Sequence, residues 1–183
     1  MDFTDYANMA VKALPHGVLL TTKVADKVNT MTIGWGTIGI NWGRPVFTAF
    51  IREGRFTREL LDANPEFTVS VPVGEAVDAG RIISICGTKS GRDTDKLKEA
   101  CLTLVKPKVI SVPAVKEFPL TFECKVLYRQ TQNLSFLRDE KLKANLYPQD
   151  IDSSAVGANR DAHVTYFGEI VSCYIVDKAL LVF

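Results

Sequence analysis

Between Phe3 and Leu14 the apolar residues Phe3, Tyr6, Ala7, Ala10, Val11 and Leu14 recur at helical spacing, and Pro15 with Gly17 stops the pattern, which predicts a short amphipathic helix. From 17 to 25 and from 29 to 39 β-branched residues dominate on either side of the turn Ala25-Asp26-Lys27, so this stretch reads as a hairpin. Arg44-Pro45 resets the chain ahead of the apolar run 46–51, a buried third strand. Leu60, Leu61 and Ala63 predict a helix over 57–63, with Thr57 able to cap it and Asn64-Pro65 to end it; residues 66–72 form the next strand.

Helical patterns return over 75–86 and from Asp93 to about Cys101, separated by the loop 87–92. Strand patterns follow at 120–130 and at 163–176, where Tyr166, Gly168, Ile170 and Ser172 alternate with other residues. Residues 131–161 are polar, with a helix expected at Leu134–Leu142. Long strands with helices between only some of them predict a mainly β protein, a barrel with helical insertions rather than regular βαβ units. The 183 residues suit a single domain over 1–183, in which 131–161 is a variable loop or cap.

Composition changes this picture only by exclusion. A 46% hydrophobic and 23% charged chain is an ordinary folded domain. Its net charge of +1, with acids and bases interspersed, offers no field for nucleic acid or an anionic membrane, so an anion must be caught locally. The start Met1-Asp2-Phe3-Thr4-Asp5 lacks a signal-peptide pattern and no apolar run reaches membrane-span length, which makes the cytoplasm the expected location. Cys86, Cys101, Cys124 and Cys173 are widely spaced, so buried thiols are expected; with only His16 and His163 besides, no metal centre is expected.

Gly34-Trp35-Gly36-Thr37-Ile38-Gly39 spells a dinucleotide fingerprint, but Gly43 and Pro45 leave no room for the helix that would hold a pyrophosphate. Lys89-Ser90 lacks the glycine of a P-loop; the loop Lys89-Ser90-Gly91-Arg92 still combines backbone amides with two cations, and is equally readable as a solvated helix entry. Arg52, Arg55, Phe56 and Thr57 stand where a strand gives way to a helix, a place that suits a phosphate or simply an ordinary capped surface. The strand Asn29-Thr30-Met31-Thr32-Ile33-Gly34-Trp35 offers small polar groups, a large indole and a glycine, a surface for a flat heteroaromatic ring or a piece of core. His163 begins the last strand, as a proton relay or a structural residue.

Taken in order, the blocks Asn29–Trp35, Arg52 with Thr57, Cys86–Asp93 leading into Asp95-Lys96-Leu97, and His163–Ile170 resemble the flavin-reductase-like proteins of the FMN-binding split-barrel superfamily, particularly the flavoredoxin-like branch. The resemblance implies a six-stranded antiparallel split barrel of Greek-key type, a homodimer, and non-covalent FMN near the dimer interface. It implies that Asn29, Thr30, Met31, Thr32, Ile33, Gly34 and Trp35 line the isoalloxazine, that Arg52 and Thr57 hold the phosphate, and that Phe56 between them belongs to the cofactor site. Lys89, Ser90, Gly91 and Arg92 would close the pocket, from the same or the partner subunit, and His163 would act at the flavin or its substrate. The implied activity is an FMN-dependent oxidoreductase fed by NAD(P)H or a protein donor. The alternatives are an FMN-binding electron carrier without turnover of its own and an oxidase of the pyridoxamine-phosphate type.

Overall fold

The computed structural model describes residues 2–74, 78–148 and 160–176. Its centre is one antiparallel sheet of seven strands: β1 Val18–Val24, β2 Lys27–Ile33, β3 Gly36–Asn41, β4 Arg44–Arg52, β5 Glu66–Val71, β8 Leu120–Thr131 and β9 His163–Ile175. A two-stranded ribbon, β6 Leu104–Val105 with β7 Ala114–Val115, lies beside it. The spatial order is β2-β1-β5-β8-β9-β4-β3. The long β8–β9 pair carries register shifts at Glu123/Cys124 and Val126/Tyr128, bulges that sharpen the local bend. The sheet curls until β2 and β4 approach one another without forming a ladder, and this opening is the split of the barrel.

The alternation of side chains along each strand accounts for two separate cores. Val18 and Leu20 of β1 face Phe47, Ile51, Phe67, Val69, Phe122 and Tyr166 inside the curl, with α1 (Thr4–Ala13) closing one end through Ala10. Leu19, between them, faces outward onto Ile82 and Cys86 of α3 (Ala79–Thr88) and onto Phe118. Inside the curl, a Cβ at Gly168 would lie 2.5 Å from Phe67 Cε1 and Cζ, so only glycine lets β9 pass that ring.

The mainly β split-barrel class expected from the sequence is the observed one. Its details differ where a local signal is overruled. The strand expected over 29–39 is two strands: β2 stops at Ile33 and β3 begins at Gly36, on opposite edges of the sheet. At the break Trp35 packs on His163, and Gly36 starts β3 so close to Phe47 that a Cβ there would be 3.0 Å from its Cζ. This break supplies the seventh strand.

The helix expected from Asp93 is only α4, Lys96–Glu99; Asp93 and Thr94 donate backbone bonds to Ser90 O, and Asp95 caps the helix by accepting from Lys98 N at 3.1 Å. The helix expected at Leu134–Leu142 is a 3₁₀ turn, Leu134–Phe136, followed by α5, Glu140–Leu146, capped by Asp139. Of the helix expected over 75–86, residues 75–77 lie outside the described residues. Among the described residues no helix is long and apolar enough to cross a membrane.

Candidate functional site

The helix α2, Phe56–Ala63, follows β4 after a three-residue turn, with Arg55 in extended conformation at its N-cap and no side chain capping it. Its first amides therefore point to whatever lies ahead of them. Ahead lies a cleft of about 100 Å³, lined by Gly54–Thr57, Asn29 and Met31 of β2, Cys86 and Gly87 at the end of α3, the turn Lys89–Arg92, and Lys96 of α4. Thr57 does not cap; its hydroxyl is buried and accepts from Asn29 Nδ2 at 2.8 Å, which ties β2 to α2. Gly91 lies over that pair so closely that a Cβ would fall 2.0 Å from Asn29 Oδ1.

The turn 89–92 closes the cleft from the same chain. Ser90 Oγ accepts from Arg92 N at 3.2 Å, Lys89 pairs with Glu99, and Arg92 pairs with Glu59 while donating to Gly54 O at 3.3 Å. Arg92 also lies 5.3 Å from the centre of the Phe56 ring. Beneath the turn, Lys96 is 5% exposed and donates to Cys86 O at 3.3 Å, among the described residues one acceptor for the three donors of an ammonium. Burial pulls its pKa down to about 8, and the positive charge of Arg55 adds to the effect. Burial likewise pushes the Cys86 thiol up to about 11, so it is no nucleophile at neutral pH.

Further along β2 the cleft continues into a second space of about 160 Å³ bounded by Met31, Thr32, Ile33, Gly34 and Trp35 on one side and Phe50, Arg52, Arg55 and His163 on the other. Thr32 Oγ1 donates to Ile83 O at 2.7 Å, fixing this wall to α3. Thr30 is absent from both spaces: it is fully buried, and its hydroxyl donates to Leu20 O at 3.4 Å inside the barrel.

Arg52 and Thr57, expected together on a phosphate, line different spaces. The Arg52 guanidinium donates to Asp161 O at 2.7 Å and Leu146 O at 2.9 Å, and lies 5.2 Å from the centre of the Tyr147 ring. Arg55 borders both spaces. His163, opposite Arg52 in the β4–β9 ladder, is 5% exposed and packs on Trp35 with ring centres 4.9 Å apart. Its Nδ1 is 2.9 Å from Tyr147 OH, which donates to Gln132 Oε1 at 2.9 Å. Tyr147 thus links the His163 ring to Gln132. Burial, reinforced by Arg52, lowers the His163 pKa to about 4, so the ring is neutral at pH 7.

A third, larger space of about 490 Å³ adjoins the second through Gly34, Trp35 and Phe50 and runs between α1 and α5. Lys96, Cys86, Gln132 and Tyr147 line these spaces without having been given a role from the sequence, which had marked Arg55 at the strand–helix junction. Lys96 was findable, because it lies one helical turn before the buried Ala100 and so on the inward face of α4. Tyr147 and Gln132 lie in a polar segment with no periodic signal.

An antiparallel sheet curled around one core and open between β2 and β4, with a cation-bearing cleft along the opening, is a split barrel. Residues 11–183 match the family described as flavin reductase like domain, and the chain belongs to that family. The fold resembles that of flavoredoxin from Desulfovibrio vulgaris (Miyazaki F), with 21% identity, TM-score 0.63, and coverage of 89% of this chain and 70% of that one. It also resembles nitrilotriacetate monooxygenase component B from Bacillus cereus, with 16% identity, TM-score 0.65, and coverage of 97% and 78%. A third similar structure is the FMN-binding domain of a flavin reductases-like enzyme from Shewanella baltica OS155, at 16% identity and TM-score 0.61, covering 92% and 74%.

Proposed function

We propose that this chain binds FMN non-covalently, with the phosphate at the α2 N-terminus above Lys96 and the ring against Met31–Trp35, and acts as an FMN-dependent oxidoreductase. The observation that carries this reading is the continuity of two unlike spaces. A buried ammonium and an uncapped helix N-terminus stand at one end, a glycine- and indole-bearing strand at the other, as a phosphate joined to a flat ring requires. Bound FMN would supply the two-electron chemistry. The chain's own residues then bind and orient: Lys96, Arg55 and the amides of 55–57 meet the phosphate charge, Gly91 lets the turn lie against Asn29, and Trp35 with Met31 flanks the ring. Neutral His163, held by Tyr147, lines the ring space.

The electron source is NAD(P)H or a protein donor. Among the described residues the walls of the third space carry no charge, which favours a second reading, an electron carrier served by a protein donor, because no described cation there would meet the phosphates of a dinucleotide. The same lack of charge weighs against a pyridoxamine-phosphate-type oxidase, which has to hold a second phosphate. A second copy of the chain would dock on the cluster of exposed Trp42 and Tyr128 with half-buried Phe167, whose rings pack 5.7–6.3 Å apart.

The test is anaerobic addition of NADH or NADPH to protein loaded with FMN and stripped of free flavin. Bleaching within seconds is expected of a reductase; retained yellow colour without bleaching selects the carrier, and failure to retain FMN contradicts both.

A further inference from the structure

His163 is held from four elements at once. Its main-chain oxygen accepts from Gln132 N at 2.8 Å, just beyond β8, and its ring packs on Trp35, at the β2–β3 junction, with ring centres 4.9 Å apart. Arg52 stands opposite it in the β4–β9 ladder. The fourth hold is Tyr147, at the C-cap of α5, whose ring meets the imidazole edge-on with centres 5.6 Å apart and whose hydroxyl stands 2.9 Å from Nδ1. The same hydroxyl donates to Gln132 Oε1 at 2.9 Å, so three hydrogen bonds form a circuit from His163 O through Gln132 and Tyr147 back to His163 Nδ1.

Tyr147 and Gln132 line the third space, whereas His163 lines the ring space, so this circuit crosses the wall between them. Nδ1 is engaged on the third-space side, which leaves Nε2 for the ring space. Tyr147 is itself 4% exposed, and Arg52 fixes it further, with its guanidinium 5.2 Å from the Tyr147 ring centre and a bond to Leu146 O at 2.9 Å. The charged groups around the imidazole are Arg52, Arg55 and Asp161; burial, reinforced by Arg52, keeps it neutral at pH 7, so it carries a single ring hydrogen whose place the Tyr147 contact can set.

We infer that Tyr147 is a positioning residue of the ring space: its hydroxyl fixes the His163 imidazole in one rotation and one tautomer, with Nε2 presented to the polar edge of the ring bound there. The inference rests on the FMN reading for the identity of that ring, and not for the fixing of His163. A free neutral imidazole exchanges its hydrogen between two nitrogens and turns about its side-chain bonds. Holding one arrangement ready removes that ordering cost from binding.

His16 and His163 are the chain's two histidines, so 15N-histidine labelling reports on two imidazoles, and His16→Gln assigns them. In the wild type at pH 7 without FMN, His163 is expected to give two well-separated ring-nitrogen resonances, the mark of one tautomer. In Tyr147→Phe, which keeps the aromatic ring, the two draw together as the tautomers exchange. Added FMN should shift the wild-type Nε2 resonance more than Nδ1. Tyr147→Phe and His163→Gln each weaken FMN about three- to tenfold, and riboflavin by the same factor, while the double variant loses no more than His163→Gln alone. Averaged resonances in the wild type, a single tautomer kept in Tyr147→Phe, a flavin shift at Nδ1 rather than Nε2, or losses that add in the double variant overturn the assignment. A protein that binds neither FMN nor riboflavin sinks the flavin reading, and the flavin-free spectra still decide the role of Tyr147.

Discussion

Lys96 carries the largest electrostatic consequence of any single side chain at the cleft. Because burial holds its pKa near 8, it is a cation at pH 7 and loses that charge as pH rises, so affinity for an anionic ligand falls from about pH 8 upward. FMN titrations from pH 7 to 9.5 should show this decline, and Lys96→Gln should start about ten- to hundredfold weaker with a flatter profile. His163 gives the opposite kind of pH effect, on stability. Its folded pKa near 4 lies below the ordinary value, so between about 6.5 and 4 the unfolded chain takes up a proton that the folded chain refuses. Stability therefore falls as pH drops through that window, by roughly 1–2 kcal/mol after solvent screening, and denaturant titrations at pH 7 and 4.5 should show a loss larger by that amount in the wild type than in His163→Gln. Of these residues the sequence marked His163 as one of two histidines but not its neutrality, which arises from Arg52 and burial, features of the folded ladder.

Elements with uninterrupted periodicity were legible in the sequence: α1, β4, β5, β8 and β9 lie where their patterns place them. Elements marked only by a local contact were not. The β2–β3 break falls where Gly36 meets Phe47, and α5 starts from an Asp139 cap in a polar stretch. Arg52 and Arg55 show the same limit at a strand–helix junction: three residues apart, one clamps α5 through Leu146 O and the other fronts the cleft. If Arg52 is a clamp, Arg52→Gln should speed hydrogen exchange or proteolysis across 140–147 while leaving the ratio of FMN to riboflavin affinity within about threefold of wild type. A tenfold fall in that ratio would return Arg52 to the phosphate. Elsewhere the buried Glu123 carboxylate gathers the amides of Lys108, Val109 and Ile110 and the hydroxyl of Tyr174, fixing 108–110 against β8. Glu123→Gln turns N–H toward N–H there and should cost about 2–3 kcal/mol in denaturant unfolding.

At the scale of the molecule, the curled sheet leaves no ladder between β2 and β4, and the proposed cofactor site occupies that opening, with α2 and α4 at its charged end and α1 and α5 at its apolar end. The sequence carried the barrel class and most of the strand β2 wall, because strand patterning is local. It placed Arg52 beside Thr57 and gave Lys96 no role, because which cation lines which space depends on how two helices pack. The Trp42–Tyr128–Phe167 cluster belongs to this scale too: sedimentation should give a dimer for the wild type and a shift toward monomer for Trp42→Lys. The central claim, a phosphate end and a ring end in one cleft, is tested most directly by equilibrium binding of FMN against riboflavin, which differ only by the phosphate. FMN bound about a hundredfold more tightly, with the gap narrowed in Lys96→Gln, is the predicted result; equal affinity for the two, or no binding of either, would contradict it.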